Sequence, residues 1–222
     1  AKGFNDMPAG ELAKHLRHPD MRVRLRAQIA LAGDVANREI LLAATASSEP
    51  LTTRLHGVWG LGNLARIKGD KDAAKELAKL TGDSEAKVRG QAAKALGDSG
   101  YKEALDAAIT LLADPDLRTR MLAAIATGKL GTKAEVPVLM AVVKDNDDKD
   151  EYLRHGVIQG MIEIGDADVV YAFANSESPA VRRAVVLALR RFKDGRIGTF
   201  LKDTDLSIAV ETVQAINDNY IE

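Results

Sequence analysis

The chain has 222 residues, enough to bury a real core in one domain or two small ones, and 46% of them are apolar against 28% charged, which excludes a disordered chain. Lys and Arg number 31 and Asp and Glu 32, so the net charge of −1 gives no bulk pull toward nucleic acid or an anionic membrane. Cysteine is absent, which removes disulfides, thiolate metal sites and covalent c-type haem, while 35 alanines with only 4% aromatics favour close helix packing over a β-sandwich.

From the amino end, Ala9–Leu16 reads as a terminal capping helix. The next segment, Val23-Arg24-x-x-Ala27-x-x-x-Leu31, sets a pattern with helical i, i+3, i+7 spacing and a small residue at its centre. The pattern returns around Arg54, Arg89, Arg120, Arg154 and Arg182, at steps of 30, 35, 31, 34 and 28 residues. A seventh unit, Leu206 to Ile216, keeps the apolar spacing without the arginine. A partner helix fits before five of these: Ala36–Ala46, Lys71–Leu80, Lys102–Ala113, Val136–Lys144 and Ala167–Ala174. Breakers such as Gly69-Asp70, Asp114-Pro115 and Ser178-Pro179 separate them. Asp20, Pro50, Glu85, Asp116, Asp150 or Ser178 stands four residues before each arginine, where helix caps belong. Asp20, Asp116 and Asp150 are also expected to pair with arginines of their own or the next repeat, forming a structural ladder with Arg24, Arg54, Arg89, Arg120, Arg154 and Arg182.

This is the pattern of HEAT-like, armadillo-type repeats. It predicts an all-α solenoid of about seven helical hairpins in a right-handed superhelix, roughly fourteen helices and no strand. One repeat domain is expected over 1–222, with units near 9–33, 35–66, 70–98, 101–131, 132–165, 166–193 and 194–218.

Residues with chemistry to offer are few. His15 and His18 are three apart, but Pro19 ends the helix there, so a metal pair has little support. His56 and His155 each follow a repeat arginine and share His-Gly-Val, which makes either a candidate on the inner surface or a bond to a neighbouring helix. Trp59, flanked by Gly57, Gly60 and Gly62, reads as filler between closely packed helices, or else as a stacking platform. The acidic run Asp145 to Glu151 lacks the glycine and glutamate of an EF-hand and reads as a solvated loop with Asp150 as cap. Arg182, Arg183, Arg190 and Arg191 form a local basic face too small for nucleic-acid recognition. The second helices of the hairpins are expected to line the inner surface and to present Arg22, Arg26, Lys87, Arg118 and Arg183, with His56 and His155 close by, as an interaction strip for an acidic protein surface.

Five stretches carry a family resemblance: His18 to Gln28, Arg54-Leu55-His56-Gly57-Val58-Trp59-Gly60-Leu61-Gly62, Tyr152 to Val157, Val186 to Arg191 and Val210 to Asp218. Over roughly residues 9–218 the chain resembles the HEAT-repeat region of the large haem-binding multidomain (PVC-type) proteins of planctomycete and verrucomicrobial bacteria. In that family a dehydrogenase-like β-propeller precedes this region and a c-type cytochrome domain with Cys-x-x-Cys-His follows it. Neither accompanies these residues, so the resemblance implies only the connecting module and an extracytoplasmic, periplasmic address. It transfers no catalytic residue.

The expected function is a non-catalytic scaffold or protein-interaction module with no metal, haem or other cofactor, no nucleic-acid partner and a monomeric state. The alternative is an enzyme or cofactor-handling module on the same repeats, in the manner of bilin lyases or some DNA glycosylases. No run of 18 apolar residues exists to span a membrane, and the start at Ala1 without a leader reads as an excised or processed segment.

Overall fold

A computed structural model describes residues 3–219. Among them every regular element is helical. The α-helices are α1 (Ala9–His15), α2 (Met21–Leu31), α3 (Arg38–Ala43), α4 (Leu51–Lys68), α5 (Lys71–Leu80), α6 (Ala86–Ser99), α7 (Leu105–Thr110), α8 (Leu117–Leu130), α9 (Val136–Asn146), α10 (Glu151–Ile164), α11 (Ala167–Tyr171), α12 (Pro179–Phe192) and α13 (Leu206–Asn219). Odd-numbered helices up to α11 are the short first members of hairpins. In the last hairpin the 3-10 segment Gly195–Lys202 takes the place of that first helix. First members are also shortened elsewhere: 3-10 turns at Val35–Asn37 and Lys102–Ala104 lead into α3 and α7.

The helix starts follow from local chemistry. Asp20, Asp70, Glu85, Asp150 and Asp166 each accept a backbone N–H of the first turn, and the Ser178 hydroxyl does the same for α12. Asp116 accepts from the Thr119 N–H at 2.8 Å. Gly69, Gly100 and Gly165 end α4, α6 and α10 in the left-handed region, where a side chain would be strained.

The chain, read from its repeats as one domain, divides into two compact units, Ala1–Ala126 and Thr127–Glu222. In the first, α2 packs on α4 and α4 on α6, around fully buried Leu16, Leu31, Leu41, Leu61, Leu64, Leu77 and Leu96. Each such leucine contributes about 1.5–3 kcal/mol by leaving water. Gly57 turns its bare Cα to α3, since a Cβ there would stand 2.8 Å from the Leu41 carbonyl oxygen and from the Thr45 methyl. In the second unit α10 packs on α9 and α12, and α12 on α13, around Leu139, Leu153, Met161, Val185, Leu189 and Ile197. A Cβ on Gly128 would overlap the backbone of Gly160, so these two helices touch main chain to main chain. The outer face of α13 leaves Leu206, Val210 and Val213 exposed.

The repeat arginines stitch successive hairpins together, but not through the carboxylates expected from sequence. Arg89 clasps Asp114 with Nε at 2.6 Å and Nη2 at 2.8 Å. Arg182 clasps Asp203 in the same way at 2.8 and 2.9 Å. Arg54 meets Asp83. Each acceptor lies in the next turn along, two residues before the helix cap, and its other duty is to accept the cap residue's own N–H: Glu85 for Asp83, Asp116 for Asp114, Asp205 for Asp203. Asp20, Asp116 and Asp150 are therefore caps rather than ladder rungs. A cap oxygen faces its own first turn, whereas the residue two positions earlier faces back to the preceding hairpin. Arg24, Arg89 and Arg182 also donate Nη1 to the carbonyls six and five residues before them, tying down their own turns.

Three arginines depart from this rule. After Arg24 the equivalent acceptor position holds Ser48, and the Arg24 Nε is buried without a partner. Arg154 would reach Ser176, and instead turns to Asp148 of its own turn at 2.8 Å. Arg120 donates Nε to the Leu112 carbonyl at 2.8 Å.

Candidate functional site

Exposed cations and apolar side chains meet on the second-helix face of the first unit. Trp59 stands at its centre. Gly57 and Gly60, on the same helix, face Leu41 and Thr45 of the α3 segment, which turns Trp59 to the other side of α4. The indole is 36% exposed rather than buried between helices. Two contacts fix it: Nε1 donates to the Gln91 amide oxygen at 2.7 Å, and the ring meets His56 edge-on with centroids 5.0 Å apart. His56 does not join the surface; it is 3% exposed, with Nδ1 2.8 Å from the Gln28 amide oxygen. Burial, with the nearby Arg24 charge, pulls its pKa down to about 4 and keeps the ring neutral.

The Trp59–Gln91 pair divides two clefts along the α4–α6 seam. The first, about 330 Å³, is lined by Leu55, Ala86, Gly90 and Leu122, with Lys87, Arg118 and Asp116 as its charged members. The second, about 270 Å³, is more polar and is lined by Asn63, Arg66, Lys94 and Asp98. Lys87 and Arg118 thus lie where the sequence put them, exposed on the second helices. Arg22 and Arg26 are exposed on α2, whose Met21, Leu25 and Ile29 form an exposed apolar stripe beside them. Arg22 folds back onto Asp20 at 2.7 Å.

In the second unit His155 is exposed, whereas Arg183 is not available as an interaction residue. Its Nε donates to Asp148 at 2.9 Å and its Nη2 to the Ser207 hydroxyl at 2.7 Å. Asp148 is thereby held between Arg154 and Arg183, so the acidic run is partly a structural clamp and not simply a solvated loop. Arg182 and Arg190 of the basic face likewise meet Asp203, and Glu211 and Asp218. At the amino end His18 uses Nδ1 to accept the Asp20 N–H at 3.0 Å. Among the described residues no group of three His, Asp or Glu side chains is placed to hold a metal ion, and no helix is long and apolar enough to cross a membrane.

What sequence reasoning missed is the cleft itself and the roles of Asp83, Asp114, Asp148 and Asp203. The acidic residue two positions before the cap was the available signal: Asp83-Ser84-Glu85, Asp114-Pro115-Asp116, Asp148-Lys149-Asp150 and Asp203-Thr204-Asp205 repeat it.

No curated protein matches the chain in sequence. Among solved structures, YibA of Escherichia coli is similar with a TM-score of 0.64 at 17% identity, over 97% of this chain and 82% of that one. An engineered protein is similar at 0.54 and 20% identity, over 96% and 97%. The complex of CpcE and CpcF of phycocyanin lyase from Nostoc sp. is similar at 0.54 and 15% identity, over 96% and 88%. At these identities the likeness is one of fold. Residues 74–150, from α5 to the turn before α10, match the family model of HEAT repeats, and the chain around them continues the same all-helical hairpin repeat.

Proposed function

We propose that the chain is a non-catalytic protein-interaction module, the connecting domain of a larger haem-binding, dehydrogenase-like protein in an extracytoplasmic compartment. The observation that carries the interaction reading is the Trp59 surface: a fixed, part-exposed indole beside an apolar cleft rimmed by Lys87 and Arg118. Rigid aromatics next to cations are the side chains that dominate protein interfaces. Two of the groups with catalytic chemistry to offer are held by the frame, His56 by Gln28 and Asp148 by two arginines. Support for the parent context is the Arg54 to Gly62 stretch, which resembles that family most specifically. The test of context is the flanking coding sequence, where a downstream Cys-x-x-Cys-His is expected and an unrelated catalytic domain would count against it. Isolated flanking domains added in trans should bind in calorimetry, more weakly at high salt.

A second reading, a pigment-handling module, is favoured by the exposure of Trp59 and the fold shared with the phycocyanin lyase complex. Saturable quenching of Trp59 fluorescence by a bilin, abolished in Trp59→Phe by absorbance titration, would select it.

A further inference from the structure

We propose that the Trp59 clefts take an acidic peptide segment, with one apolar side chain seated in the first cleft against Trp59 and Leu122. Its carboxylates then meet Lys87 and Arg118 on one side and Arg66 on the other. This rests on the interaction reading above and adds the chemistry of the partner.

Size comes first. At about 330 Å³ the first cleft sits at the small end of ligand sites, which run ~300–1,000 Å³, so it suits one or two side chains better than a cofactor. Its apolar lining, Leu55, Ala86, Gly90 and Leu122, gives that side chain a dry seat. The indole beside it is already fixed by Gln91 and His56, so binding loses little of its rotamer entropy.

Charge decides the rest. Residues 1–126 hold 19 Lys and Arg against 16 Asp and Glu, although the whole chain is nearly neutral. Around the clefts the carboxylates are engaged: Asp116 accepts from the Thr119 N–H and hydroxyl at 2.8 Å each, and Asp98 pairs with Lys94 at 2.5 Å. Lys87, Arg118 and Arg66 are exposed and meet no carboxylate within 4 Å among the described residues. Lys87 and Arg118 outnumber Asp116 on the first cleft, and Arg66 and Lys94 outnumber Asp98 on the second, so the net positive rim of an apolar cleft attracts an anionic partner and disfavours a cationic one. The second cleft offers little apolar surface, which assigns it a carboxylate rather than a second anchor.

Trp59 is the sole tryptophan, so its emission reports the site directly. The probe is a ten-residue peptide alternating Leu with Glu, compared with versions carrying Lys for Glu or Ser for Leu. The Leu–Glu peptide should shift Trp59 emission saturably, and both altered peptides should bind at least tenfold more weakly. Lys87→Glu combined with Arg118→Glu should weaken binding at least tenfold with unchanged circular dichroism, and 0.5 M salt should weaken it in the native chain. Equal binding of the Lys peptide, binding indifferent to the double reversal, or tighter binding of single-stranded oligothymidine would overturn the inference. Peptides selected from a random library against the native chain and against Trp59→Ala separate it from the broader reading. Trp59-dependent peptides without acidic residues would sink the acidic partner and leave the interaction module standing; no Trp59-dependent peptide at all would sink both.

Discussion

Arg89 and Asp114 show how much one side-chain pair can hold. The carboxylate is nearly buried, accepts two guanidinium bonds and one backbone N–H, and its pKa is held below the usual carboxylate range, first by the Arg89 hydrogen bond. Arg89→Ala leaves that charge without its clasp and should cost about 2–4 kcal/mol in a urea melt, whereas Arg118→Ala, on the exposed rim, should stay within about 0.5 kcal/mol. Asp203, depressed in the same way by Arg182, adds to a loss of stability once pH falls through the native carboxylate range, because protonation releases both arginines. His56 acts earlier. Unfolded, it binds a proton near the ordinary imidazole value of 6.5; folded, only near 4, so the unfolded chain takes up more protons between those limits. Stability is therefore full above about pH 6.5 and declines as pH falls toward 4, by up to about 1.4 kcal/mol per unit for this one group. His56→Gln should flatten that part of the pH–stability curve, as followed by thermal melts at pH 4.5 and 7. The arginines were legible from their spacing, and the caps from helix-start chemistry. The acceptors were not, because which turn faces which hairpin is a tertiary fact. Of the two sequence readings of His56, the inner surface fails and the bond to a neighbouring helix holds, because its helical phase points it at Gln28 of α2.

At the scale of the helix, two substitutions test the packing. Gly128→Ala would drive a methyl into the Gly160 backbone, and main chain cannot swing aside as a long side chain can. A loss of about 2–3 kcal/mol is expected against the gain of about 1 kcal/mol that the same exchange gives in an open helix, and a neutral or stabilising result would mean the two helices slide apart at no cost. Ser48→Asp works in the opposite direction. It places a carboxylate where Asp83, Asp114 and Asp203 stand in their own turns, before an arginine whose Nε has no partner. A gain of about 0.5–1.5 kcal/mol is expected, and it should vanish in Arg24→Lys, whose ammonium cannot make the fork. Helix identities could be read from periodicity, as α5 shows by matching its expected limits Lys71–Leu80. The first member of the last hairpin could not: Gly195-Arg196-Ile197-Gly198 carries two glycines, and Ile197 and Phe200, three apart and both buried, satisfy a 3-10 turn.

For the whole chain, a repeat fold that holds itself together through neighbouring hairpins is close to one-dimensional, and its two compact units need not unfold together. Trp59 reports only the first unit, while far-ultraviolet circular dichroism reports every helix. Urea transitions followed by the two signals should have different midpoints, and coincident curves would show a single cooperative block. The same division sorts the charge, since the residues from 127 on hold 12 Lys and Arg against 16 Asp and Glu. The near-neutral total concealed this, and with it the cationic setting of Trp59.

The Arg–Asp clasps span only 21 to 29 residues of chain. No clasp asks distant parts of the polypeptide to find each other, so the search that slows sheet proteins has little to do here. Each hairpin can close on the one before it as soon as about thirty residues are in place, and single-domain chains built from such near-neighbour contacts refold in microseconds to milliseconds rather than seconds. Stopped-flow refolding read by Trp59 emission should accordingly finish its main phase within milliseconds. Synthesis from the amino end would then leave little exposed apolar surface at any moment, because each new hairpin covers the face left open by the last.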